Sequence, residues 1–158
     1  MASIKGWQLK GLKTFQGRDW EGAQGNLYYN GKKAGWYNDS GNGGMADIDL
    51  NSKELQEQFK KSIKDYYAEH PLTGRFTDLT PDGEIFMGDL LNLMQDEKQY
   101  NKMSKKGYPH IALYKRSEND PYENVIGFKT SEGREKYLAK HGITEYRAYS
   151  SLEDFIIK

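Results

Sequence analysis

The chain contains no cysteine, which excludes a disulfide framework, a thiolate zinc site and a cysteine nucleophile. It has no net charge, with 23 basic residues against 23 acidic ones, so no global field draws it to nucleic acid or to a membrane surface. No apolar run approaches the ~18 residues of a membrane span, and mean hydropathy is −0.93. The segment from Met1 to Trp7 lacks the apolar block of a secretory signal, so a cytoplasmic protein is expected. Strongly apolar residues are scarce as well. Leu, Ile, Val and Phe number 29 of 158, a level that borders on disorder when net charge is high. Here the charges cancel, and 12 tyrosines and 3 tryptophans supply apolar surface while keeping polar tips. A folded domain with an aromatic-rich core is expected.

The first fifty residues read as strands. Leu27–Tyr29 and Ala34–Tyr37 flank Asn30-Gly31, the strongest short hairpin signal, because both turn positions tolerate positive φ. A glycine-rich loop over 38–44 leads to a short strand from Met45 to Leu50. Asn51 with Glu54 forms a helix-starting box, Leu55, Phe59, Ile63 and Tyr66 follow at helical spacing, and Pro71 ends the run. A connector over 71–83 precedes a second helix, roughly Glu84 to Lys106, with Phe86, Leu90, Leu93 and Tyr100 as its stripe and Gly107 as its left-handed cap. Strands follow at Tyr108–Arg116 and Val125–Lys129, then a helix at Ser131–His141 closed by Gly142, and a last strand at Glu145–Tyr149. The predicted fold is α+β, antiparallel sheet or sheets with about three helices in the order ββββα–αββαβ. One domain over 1–158 is expected, with 1–70 and 84–158 as lobes if it divides.

The charges are unevenly placed. Six acids and no base lie between Phe76 and Glu97 (Asp78, Asp82, Glu84, Asp89, Asp96, Glu97), and six bases and no acid between Lys98 and Arg116. Acids early and lysines late in a helix complement its dipole, but Lys115 and Arg116 lie beyond the helix. Strand alternation puts Tyr108, His110, Ala112, Tyr114 and Arg116 on one face and Ile111 and Leu113 on the other. With Ile111 and Leu113 in the core, the opposite face presents rings beside cations, the composition that stacks bases and holds phosphates. The expected nucleic-acid surface is Lys102, Lys105, Lys106, Tyr108, Tyr114, Lys115 and Arg116. The acidic tract 76–97 offers a second mode, contact with a basic host protein.

Catalytic alternatives are thinner. Asp47 and Asp49, two apart on a strand, point to one face, and with Asp39 they would hold Mg²⁺ or Mn²⁺ for nuclease chemistry. His110, among Tyr108, Tyr114 and Arg116, would serve as general base in metal-free RNA cleavage. Gly41-x-Gly43-x-x-Ala46 fits a dinucleotide fingerprint only literally, since a strand rather than a helix follows it. The third alternative is a structural interaction domain with no such activity.

Lys106 to Leu113 partly resembles the RNA-recognition-motif signature, agreeing at Lys106, Gly107 and Tyr108 and departing at Pro109, His110 and Leu113. A longer stretch, Asn30-Gly-Lys-Lys-Ala-Gly-Trp-Tyr-Asn-Asp-Ser-Gly-Asn-Gly-Gly44, together with the Lys105–Tyr108 junction, resembles small uncharacterised accessory proteins of phages and plasmids in low-GC Gram-positive bacteria. That resemblance implies a mobile-element role in the host cytoplasm. It implies inhibition of a nucleic-acid defence, in the manner of an anti-CRISPR protein, while the basic, tyrosine-bearing face makes an RNA or a host ribonucleoprotein the expected partner.

Overall fold

A computed structural model describes residues 1–158. Strands β1 (Ser3–Ile4), β2 (Trp7–Gln16), β3 (Glu21–Tyr29), β4 (Lys32–Asp39) and β5 (Asp47–Leu50) are followed by helices α1 (Lys53–Glu69) and α2 (Gly83–Lys105). Then come β6 (His110–Tyr114), β7 (Asn124–Phe128), α3 (Ser131–Lys140), β8 (Arg147–Tyr149) and β9 (Ile156–Ile157). The class is α+β with antiparallel pairing, as the sequence predicts. The C-terminal stretch adds an unforeseen strand: β9 joins a six-stranded sheet in the order β5-β4-β3-β2-β1-β9, while β7-β6-β8 form a second sheet. No helix is long and apolar enough to cross a membrane. By internal contacts the chain forms two compact units, one of Ala2–Asn92 with Ile157–Lys158 and one of Leu93–Ile156 with Met1. The division falls within α2 and not in the 71–83 segment.

In the first unit, Asn30 (φ 47°) and Gly31 (φ 80°) make the β3–β4 turn, a pair of positive φ angles that matches the right-handed twist of the flanking strands. Two irregularities shape the sheet. Gly11 (φ 65°) sits in a bulge between Lys10 and Lys13, and Ala34 is the extra residue where Leu27 pairs Gly35 but Tyr28 pairs Lys33. One sheet face buries Leu9, Leu27 and Leu50. Trp7 is wholly buried and packs 4.9 Å from Phe59 of α1, and its indole N–H donates to Ser62 Oγ at 2.9 Å, so no polar atom is stranded. Phe86 of α2 meets Phe59 at 5.4 Å and Tyr66 at 5.8 Å, edge to face. The cap of α1 is Ser52, whose Oγ accepts from the Leu55 N–H, and not Asn51. The reason is the edge strand: the Asn51 N–H is already committed to the Ala34 carbonyl at 2.8 Å.

Gly35 is required by a close approach, since a Cβ there would lie 1.9 Å from the Asp49 carbonyl oxygen. Gly35→Ala is expected to cost about 1–3 kcal/mol by forcing β4 and β5 apart. Gly44→Ala, where nothing lies within 4 Å of the added Cβ, serves as control and stays within about 0.5 kcal/mol of wild type. Urea denaturation of the two variants checks the contrast.

In the second unit β6 is the central strand, pairing β7 from His110↔Phe128 to Tyr114↔Asn124 and β8 from Ile111↔Tyr149 to Leu113↔Arg147. On one face Tyr149 stacks on Phe155 at 4.3 Å and donates its hydroxyl to Asp96 of α2 at 2.7 Å. On the other, Arg134 of α3 donates to the carbonyls of Ile111 (3.3 Å) and Tyr149 (3.1 Å), and Tyr137 packs 5.4 Å from Phe128. Both faces of the strand are therefore covered. The expectation that Tyr114 turns to solvent is overturned: Ala112 is fully buried and Tyr114 is 5 % exposed.

Candidate functional site

The seven residues expected to form one surface fall into two groups. Lys102, Lys105 and Lys106 are exposed around the C-terminus of α2, and Tyr108, 37 % exposed, follows the left-handed Gly107 (φ 90°). Lys115 and Arg116 are exposed just beyond the far end of β6. Strand geometry separates the groups by roughly 15 Å, the length of the strand between them. Tyr114, buried, belongs with the second group but offers it only a hydroxyl.

That second group borders a cleft of about 890 Å³. Its walls come from the end of β6 and the turn after it (Tyr114–Glu118), from the C-terminal turn of α3 with its following loop (Tyr137, His141–Tyr146), and from Glu123 and Arg147. Local chemistry explains the geometry. His141 ends α3 by donating its N–H to the Tyr137 carbonyl at 3.1 Å, and Gly142 (φ 63°) turns the chain away. The i, i+4 spacing packs the His141 ring against Tyr137 at a tilt of 42°, centroids 4.3 Å apart. The Tyr137 hydroxyl, 3.5 Å from that of Tyr114, raises the Tyr114 pKa above its ordinary value; burial adds to this, and the Arg116 guanidinium works the other way.

The cations of the cleft are not equivalent. Arg147 is saturated, donating to both oxygens of Asp96 (2.6 and 2.9 Å) and both of Glu123 (2.9 and 2.7 Å). It is a wall, and Glu123 is spent on it. Lys115 and Arg116 have no carboxylate at ion-pair distance. Their charge is available to an anion beside three rings, Tyr137, His141 and Tyr146, the last 40 % exposed. Glu118 and Glu145 lie in the same walls as acceptors.

The other candidates are dispersed. Asp39 accepts from the Trp20 indole N–H with both oxygens at 3.2 Å and from the Gly41 N–H at 2.9 Å, and Asp49 accepts from the Trp36 indole at 3.0 Å. Asp47 pairs Asn38 on the edge strand, and no group of three His, Cys, Asp or Glu side chains is gathered anywhere as a ligand set. Asp39 and Asp49 each accept from an indole N–H, Asp49 through its register opposite Trp36, and the three carboxylates are not gathered as one ligand group. His110 sits 2.9 Å from Ser150 Oγ, which also receives the Arg134 guanidinium at 3.0 Å.

Most of the acidic tract is engaged internally. Asp82 caps α2 through the Ile85 N–H (2.9 Å), and Asp89 accepts the Tyr67 hydroxyl (2.8 Å). Asp96 is 3 % exposed and holds Arg147 and Tyr149, and Glu97 pairs the N-terminal ammonium at 3.0 Å.

Comparison with protein-family models, with curated proteins and with solved structures finds no match to this chain. Sequence reasoning missed Tyr137, His141 and Tyr146. The signal for the first two was present: a tyrosine and a histidine four apart, at the end of a helix that a glycine closes.

Proposed function

We propose that the protein is a binding protein and not a catalyst, and that it takes unpaired RNA, free or within a host ribonucleoprotein, into the cleft beyond β6. The observation that carries this reading is the pair Lys115 and Arg116, without carboxylate partners, at the border of a ring-lined cleft. Guanidinium and ammonium groups not neutralised by the protein hold phosphate, and the exposed rings of His141 and Tyr146 offer faces on which unstacked bases lie. Glu118 and Glu145 offer the same ligand acceptors for a base's exocyclic amine. The volume is that of a pocket for one small ligand moiety, a nucleotide or two, not a channel for a helix. In the mobile-element setting that the sequence resemblance implies, such a protein would interfere with an RNA-guided host defence from within the cytoplasm.

Affinity for a single-stranded RNA is expected to fall steeply with salt. Lys115→Glu with Arg116→Glu should weaken binding and reduce the slope of log K against log salt by about 0.7 for each phosphate no longer neutralised. Filter binding across a salt series measures both. Absent binding, or binding indifferent to salt and to the double variant, contradicts the reading.

A further inference from the structure

The six-stranded sheet of the Ala2–Asn92 unit has an open face that the cleft does not involve. Register places Lys10, Asn26, Trp36 and Asp49 in one row across β2, β3, β4 and β5. The adjacent row holds Leu9, Leu27, Gly35 and Leu50, which turn to the opposite, buried side. A solvated face is ordinary for an antiparallel sheet; its contents here are not. Trp36, on an interior strand, leaves 42 % of its surface open. Its indole N–H donates to Asp49 at 3.0 Å, which fixes the ring's orientation and engages that carboxylate. Tyr28 lies diagonally across from Trp36, and the Lys10 ammonium sits 4.3 Å from its ring centroid. Lys13 and Lys33 flank the rings on β2 and β4, and none of the three lysines has a carboxylate at ion-pair distance.

We propose that this face is a second, separate binding site, a platform for single-stranded nucleic acid with bases stacked on Trp36 and Tyr28 and phosphates held by Lys10, Lys13 and Lys33. Charge selects the occupant. The free cations lie toward β2 and the start of β4, whereas Asp47 and Asp49 lie on the edge strand β5. A polyanion backbone would therefore follow the β2 side, with its bases reaching across two strand spacings, about 10 Å, to Trp36. Asn26, between Lys10 and Trp36, provides an amide donor and acceptor for a base edge. A protein partner fits less well, because the polar side chains of Lys10 and Asn26 lie beside and between Tyr28 and Trp36.

The inference concerns a different unit from the cleft and stands or falls separately. The test uses the full chain and an oligothymidine octamer, which has no self-structure, with fluorescence anisotropy for affinity and tryptophan emission as the site-specific signal. Wild type is expected to bind with quenching. In the Lys115→Glu, Arg116→Glu background, where the cleft no longer contributes, Trp36→Phe keeps most of the affinity but loses the quench, and Trp36→Ala, at an exposed position that leaves the fold intact by circular dichroism, weakens binding about tenfold or more. Lys10→Glu with Lys13→Glu reduces the salt slope by about 1.4. Lys115→Glu with Arg116→Glu leaves the Trp36 quench in place. Affinity unchanged by Trp36→Ala in that background would overturn the proposal. So would loss of all binding in the Lys115/Arg116 variant, or quenching by a neutral oligosaccharide but not by the octamer.

Discussion

Asp96→Ala is expected to destabilise the Leu93–Ile156 unit by about 2–3 kcal/mol, chiefly the cost of leaving the buried Tyr149 hydroxyl without its acceptor. Asp96 is 3 % exposed and accepts three short bonds, two from Arg147 and one from the Tyr149 hydroxyl. Without it, Tyr149 keeps a buried hydroxyl with no acceptor, and burial together with that carboxylate is what raises its pKa. Arg147 retains Glu123 and is half-exposed, so its share of the loss is the smaller one. Asp96→Asn keeps an acceptor for Tyr149 and should cost less. Asp96→Ala combined with Arg147→Ala should cost less than the sum of the single changes, because no cation is then left behind. Urea titrations followed by near-ultraviolet circular dichroism measure all four proteins. A loss below about 1 kcal/mol in Asp96→Ala would mean that this network does not tie α2 to β8.

The second large effect is alkaline. Tyr37, Tyr66 and Tyr67 are nearly buried in the Ala2–Asn92 unit. Burial pushes their hydroxyls up, Tyr37 and Tyr66 to about 12 and Tyr67 higher still, with Asp39 and Glu84 adding at Tyr37 and Asp89 at the other two. In the unfolded chain each ionises near pH 10. Below pH 10 both states keep these protons, and the stability they lend is fully present. Above it the folded state holds more protons than the unfolded one, so stability falls with rising pH, by up to about 4 kcal/mol per pH unit for three groups. The urea midpoint of this unit should be level from pH 8 to 9 and drop steeply above 10. A midpoint unchanged at pH 11.5 would mean that the three hydroxyls ionise freely in the folded protein.

Features that depend on neighbouring residues were legible in the sequence. Asn30-Gly31 makes its hairpin, Gly107 and Gly142 take positive φ at the ends of α2 and α3, and the stripe Phe86, Leu90, Leu93, Tyr100 is buried. Features that depend on distant chain were not. Alternation along Tyr108–Arg116 correctly separates Ile111 and Leu113 from Ala112 and Tyr114, yet a period of two cannot say whether the second face is also covered. It is, because α3 returns across it and Tyr137 meets Tyr114. The acidic tract misled in the same way. Asp89 and Asp96 look like solvated charges until Tyr67, 22 residues away, and Arg147, 51 residues away, arrive beside them. The basic run looked like one patch because its members are close in sequence, but an extended strand carries Lys115 and Arg116 away from Lys105 and Lys106.

The central claim is that unpaired RNA enters the cleft between the end of β6 and the end of α3. Amide chemical-shift mapping of the isotope-labelled protein during titration with a short single-stranded RNA at low salt addresses it most directly. The largest shifts are expected at Lys115–Ser117 and across Tyr137–Tyr146, and the Lys115→Glu, Arg116→Glu protein should lose them. Amides in those two segments that do not move at saturating RNA would contradict it.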